Sequence, residues 1–186
     1  ADFDNDGWKD LFVANGYKTD ITNLDFMTYG KRALFMGTPE ANRKERLKIL
    51  QNYPGIYVNN YVFKNNHDLT FTESAGKYGL AHSGFCTQAT FFDYDLDGDL
   101  DCLIINNSPL PFSSLNSANS RDSSIAYSDT STKIKGGGNH LFRNDNNYFT
   151  EITKKAGLHT GLISFGLGVS VGDINSDGYP DVYVGN

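Results

Sequence analysis

Three nine-residue stretches share one pattern, D-x-[DN]-x-D-G-x-x-D: DFDNDGWKD at 2–10, DYDLDGDLD at 93–101 and DINSDGYPD at 173–181. Each runs directly into alternating apolar residues, LFVAN, CLIIN and VYVGN. Oxygen-bearing side chains at this density, folded back by a glycine, repel one another unless a cation sits among them. One such loop is a weak signal, but three in a single register are not a chance acidic turn. The chain reads as a repeat protein that binds a hard divalent metal.

Calcium takes six to eight oxygens in flexible geometry, and alternating acidic residues can aim them at a common centre. Positions one, three, five and nine supply side-chain oxygens: Asp2, Asp4, Asp6 and Asp10; Asp93, Asp95, Asp97 and Asp101; Asp173, Asn175, Asp177 and Asp181. Position seven varies freely (Trp8, Asp99, Tyr179), so its expected contribution is a backbone carbonyl. Gly7, Gly98 and Gly178 fall where the chain must turn sharply with positive φ. Beyond the glycine the likeness to an EF-hand ends, because position twelve is Val13, Ile104 or Val184 inside a period-two run that reads as a strand. Magnesium, which wants tight octahedral geometry and retains its waters, fits these loops less well, and transition metals would want nitrogen or sulfur ligands. The expectation is up to three calcium ions.

The formal charge of −6 and the pI near 5.1 argue against a nucleic-acid partner. Three divalent ions would balance that charge, since −6 + 6 = 0, so the acidity is largely ligand charge. No apolar run approaches the roughly 18 residues of a membrane helix. Cys86 and Cys102 are the only cysteines, and a hairpin closed by the second loop sets them apart along its strands, so two buried thiols are expected rather than a disulfide. Loops of this kind suit millimolar calcium, which points to an extracellular, cell-surface or periplasmic setting.

A longer repeat surrounds the loops. Residues 60–80 align with 139–158 as strand, Asn/Asp-rich turn, second strand and a small-residue loop ending in Gly-Leu. A third strand follows, then a metal loop, then a fourth. Four antiparallel strands at a long period are the signature of propeller blades. The expected fold is all-β, part of a β-propeller: two four-stranded blades plus a lone strand, one inserted helix and one long Ser/Asn/Gly-rich loop. In this division residues 1–16 hold the first metal loop and the last strand of a preceding blade, and 17–57 are an insertion. Residues 58–107 are a blade with the second loop, 108–138 a flexible insertion, and 139–186 a blade with the third loop. Within the first insertion Thr38 as N-cap and Pro39 at the first helical position predict a helix ending near Leu50, before Pro54. Propellers close with four to eight blades, so the expected neighbours are further blades of a parent protein or another chain.

The run at 165–185, FGLGVSVGDINSDGYPDVYVG, resembles the FG-GAP repeat of integrin α-subunit propellers. More of the chain resembles FG-GAP/VCBS-repeat proteins of the ASPIC/UnbV and cartilage-acidic-protein-like type found in Bacteroidetes. The matching segments are 4–16, 91–101, Leu141-Phe-Arg-Asn and Phe149-Thr-Glu-Ile-Thr. The resemblance implies a calcium-stabilised propeller, commonly secreted or surface-anchored, with metal ligands at the loop positions named above. Asn175 departs from the pattern by removing one negative charge from the third loop.

The function expected on these grounds is a calcium-binding scaffold that mediates protein or glycan recognition without catalysis. The alternative is the propeller domain of a polysaccharide-active enzyme, a lyase or hydrolase, which would need positioned acid–base groups. His67, His82, His140 and His159 show no suggestive spacing to a partner carboxylate, and no nucleophile, zinc or phosphate-binding motif is present.

Overall fold

The computed structural model describes residues 1–15, 18–19, 55–56, 59–108, 138–158 and 165–185. In chain order the elements are β1 (Leu11–Val13), β2 (Lys18–Thr19), β3 (Gly55–Ile56), β4 (Tyr61–Asn65), β5 (Phe71–Glu73) and the one-turn helix α1 (Ala75–Tyr78). Then come β6 (Cys86–Phe92), β7 (Asp101–Asn106), β8 (His140–Asn144), β9 (Phe149–Glu151), β10 (Gly168–Gly172) and β11 (Asp181–Gly185). All strand pairs are antiparallel. The described residues are nearly all β, as their period-two apolar runs require, and their antiparallel sheets are consistent with a propeller fragment. Residues 17–57 make a compact unit of their own, in which β2 pairs with β3; residues 1–16 and 58–186 make the other. The helix expected between Thr38 and Leu50 and most of the second insertion lie outside the described residues.

The sheets are cut differently from the four-strand units the repeat period predicts. In the larger unit their orders are β1-β4-β5, β6-β7-β8-β9 and β10-β11. The strand after a metal loop therefore does not close a blade. It pairs with the hairpin that follows: Leu11 opposite Phe63, and Cys102 opposite Phe142. The first strand is accordingly not alone, and the second and third loops join the first two strands of their sheets, β6 to β7 and β10 to β11. The cause is local. The position-nine carboxylate takes a backbone N–H from the next hairpin, Asn65 onto Asp10 (2.9 Å) and Asn144 onto Asp101 (2.8 Å). At the far end of the same pairs, the Asn15 and Asn106 amides donate to the side-chain oxygens of Asn60 and Asn139. The hairpin closed by the second loop sets Phe92 opposite Asp101 and Phe91 opposite Cys102.

β7 is buried throughout. Its alternate residues feed two cores: Cys102 and Ile104 join Phe3, Val62, Tyr78, Leu80 and Phe149 on one face, while Leu103 and Ile105 join Leu141, Ile152, Val169 and Val184 on the other. The four-stranded sheet is thus covered on both sides, by the first sheet and by the β10–β11 hairpin. A strand buried on both faces must be continuously apolar, which accounts for the unbroken CLII run. Cys86 and Cys102 are both free thiols in the first core, and burial pushes both above the usual thiol range.

Candidate metal centres

Each loop is shaped by a repeated set of bonds from its own amides. The position-one carboxylate accepts the N–H groups of positions five and six: Asp2 from Asp6 and Gly7, Asp93 from Asp97 and Gly98, Asp173 from Asp177 and Gly178, at 2.9–3.1 Å. The position-five carboxylate accepts the N–H of position seven in Trp8, Asp99 and Tyr179 at 2.9 Å. Position nine accepts the N–H of position two, from Phe3, Tyr94 and Ile174. Two residues per loop are left-handed: the glycine, at φ 88°, 95° and 88°, and position four, where Asn5, Leu96 and Ser176 have φ 54°, 62° and 62°. The glycine is visible in the sequence. The second left-handed position, held by three dissimilar residues, is not.

This backbone brings positions one, three and nine together. Asp2, Asp4 and Asp10 each offer an oxygen within 4.8 Å of the others, as do Asp93, Asp95 and Asp101. Asp6 and Asp97 stand beside these triads, tied to the position-seven amides. In the third loop Asp173 and Asp181 hold the same backbone bonds, but the Asn175 amide is turned onto Asp177, donating to one carboxylate oxygen at 2.9 Å. The position-seven side chains face elsewhere: Trp8 stacks on His67 at 4.9 Å between centroids, Tyr179 is exposed, and Asp99 accepts the Asn5 amide at 3.0 Å.

The donor set fits calcium. It is oxygen throughout. One oxygen of Asp4 and one of Asp95 are buried with no hydrogen-bond partner, as an oxygen reserved for a cation would be. A cationic group already lies against the first loop: the Lys64 ammonium from β4 contacts both Asp4 and Asp6, and Tyr78 Oη donates to Asp4 at 3.3 Å. Burial alone would lower the lysine, yet its bonds to the two carboxylates outweigh that and hold it above its usual range. The Lys64 bond, followed by the Trp8 amide and His67, holds Asp6 well below the usual carboxylate range. In the second loop the balance reverses. Burial, only partly offset by the Asn144 and Tyr94 amides, raises Asp101 to about 6, and burial with the neighbouring Asp97 raises Asp95 as well. That loop carries concentrated negative charge which a divalent ion would relieve.

The first two loops also touch. Asn5 donates to Gly98 O and to Asp99, and Asn144 Nδ2 donates to both Phe3 O and Leu100 O.

The histidines fall into two groups that spacing did not suggest. His67 Nε2 meets Asp6 at 2.9 Å. His140 Nδ1 meets Glu151 at 2.8 Å, and the His82 ring lies 4.3 Å from the His140 ring. The side chain of His140 is fully buried, whereas Glu151 is exposed and His82 half-buried, so the group runs from the packing to the surface. His159 lies outside the described residues.

Residues 125–184 match the model of the FG-GAP-like repeat, a span that includes β8, β9, β10 and the third loop. The match supports the FG-GAP/VCBS repeat family, whose repeats occur in extracellular recognition and scaffold domains and commonly bind calcium. No curated protein matches the chain. Among the described residues no helix is long and apolar enough to cross a membrane.

Proposed function

We propose that this chain is a calcium-stabilised segment of an extracellular or surface propeller, a scaffold for protein or glycan recognition that performs no catalysis. The observation that carries the reading is the repeated triad: carboxylates at positions one, three and nine gathered within 4.8 Å in each of two loops, with a buried, unpartnered oxygen in both. Asp2, Asp4 and Asp10 would hold one ion and Asp93, Asp95 and Asp101 another, completed by position five and the position-seven carbonyls. The third loop, with Asn175, would bind more weakly. Bound calcium neutralises the carboxylates and fixes each hairpin turn, and the position-nine residue passes that order to the next strand.

The test is thermal melting with calcium and with EDTA, beside calorimetric titration. A loop at a calcium concentration about one hundred times its Kd adds about 2.7 kcal/mol. Asp95→Asn should lose most of the increment belonging to the second loop. An unchanged melting temperature on chelation would defeat the proposal. A glycan array with and without chelator then separates the ligand classes: calcium-dependent sugar binding marks a lectin, and its absence directs the search to protein partners.

A further inference from the structure

The two metal loops that β4 and β8 flank are not equivalent, and the difference lies outside the loops. Lys64 on β4 and Arg143 on β8 occupy the same repeat position, one residue before the Asn65 and Asn144 amides that bond the position-nine carboxylates. Two residues on, the repeats diverge: Asn66 in the first, Asp145 in the second. Arg143 is claimed by Asp145, through Nε at 3.1 Å and a terminal nitrogen at 2.8 Å. Asn66 offers Lys64 no charge and is engaged with Thr70 and Thr72. Lys64 therefore turns to the loop, where its ammonium contacts Asp4 and Asp6. The Asp4 side chain is only 6% exposed, and its other oxygen is buried with no partner.

Building on the calcium reading above, we infer that Lys64 is a tethered counter-cation of the first loop, a regulatory lysine that a metal ion must displace, so that this loop binds calcium more weakly than the second. The lysine and a divalent ion compete for the same Asp4 and Asp6 oxygens, and like charges exclude each other from one carboxylate set. With the lysine in place the first loop keeps a partly neutralised, folded form without metal. The second loop has no bonded substitute: Arg143 acts on Asp95 only through its charge, while its hydrogen bonds go to Asp145. The first loop then loads at the high end of the calcium range and the second at the low end, which makes the pair a graded sensor rather than two copies of one site.

Trp8, the only tryptophan in the chain, sits at position seven of the first loop, whereas the others carry Asp99 and Tyr179. Terbium bound there is sensitised by indole, so its emission under selective tryptophan excitation reports the first loop, while calorimetry reports all of them. The full chain should show tryptophan-sensitised emission rising at higher metal concentration than total binding. Lys64→Met should move that rise to about tenfold lower metal, the scale of the charge-assisted hydrogen bonds that no longer have to be broken. Lys64→Arg should stay near the parent chain. Asn66→Asp, which gives Lys64 the acid that Arg143 already has, should shift in the same direction as Lys64→Met and keeps the test available if the methionine variant folds poorly. If both variants leave the emission curve in place while calorimetry still shows calcium uptake, the lysine competes with nothing and the inference fails alone. If neither terbium nor calcium binds any loop, the calcium reading fails with it.

Discussion

At the scale of single residues, His82 carries the clearest consequence of burial. Burial, and then the neighbouring His140, lower it from 6.5 to about 4, so it is neutral in the fold at neutral pH. Its Nε2 is buried without a partner, and the ring lies between His140 and Phe142 at 4.3 and 5.7 Å. The folded pKa lies below the unfolded one, so between about pH 6.5 and 4 the unfolded chain binds more protons. Stability contributed by neutral His82 is complete above that window and falls as pH drops through it, by about 3 kcal/mol at most. Asp101 acts in the same window with the opposite sign. Its carboxyl is raised to about 6, so metal-free stability decreases as pH rises from about 4 to 6. His82→Phe removes one contribution and leaves the other. Urea melts of the calcium-free variant should show a distinctly shallower loss, or a gain, on acidification from pH 6.5 to 4. Parallel curves for the two proteins would mean that His82 is not held neutral by its packing.

At the scale of elements, what the sequence disclosed and what it withheld divide along a physical line. The loop acids, their glycines and the strands after them are set by neighbours in the chain, and spacing alone reveals them. The blade boundary is not, because a four-strand period can be cut at any of four places. The cut is made by contacts between distant residues: Asp10 with Asn65, Asp101 with Asn144, and the paired asparagines 15 with 60 and 106 with 139. Lys64 on Asp4 and His140 on Glu151 escaped for the same reason, since cross-strand neighbours follow from register. The β10–β11 hairpin shows how tightly one sheet is set on the next. Thr87 Oγ1 on β6 directs its single proton to Gly166 O at 2.8 Å with Ile105 O at 3.2 Å beside it, and a methyl on Gly166 would press into the fully buried Ile105 side chain. Gly166→Ala should therefore cost about 1–3 kcal/mol, the usual penalty for overpacking. Gly172→Ala on the same hairpin meets open space and serves as the control. Equal denaturation midpoints for the two variants would show that the hairpin does not pack on β7 as described.

At the scale of the larger unit, the loops form a connected pair and a separate third. Asn5 reaches Gly98 O and Asp99, while Asn144 Nδ2 holds Phe3 O of the first loop and Leu100 O of the second. Phe3 continues that link into the first core, against Tyr78 at 4.8 Å and Phe149 at 6.1 Å. Among the described residues no hydrogen bond joins the third loop to either of the others. Order that an ion would impose on the second loop has a route to the first through these hydrogen bonds, while the third would respond by itself. Sites in one hydrogen-bonded network are non-additive, whereas separated sites add to within about 0.5 kcal/mol. A double-mutant cycle in saturating calcium reads the difference. Asp2→Asn with Asp93→Asn should show a coupling of about 0.5–1 kcal/mol, and Asp93→Asn with Asp173→Asn should be additive. The Asn144→Ala background should then abolish most of the first coupling, because it cuts the bonds to Phe3 O and Leu100 O together. Additivity in both cycles would mean that each ion stabilises only its own hairpin. Coupling that survives Asn144→Ala would assign it to the Asn5 contacts instead.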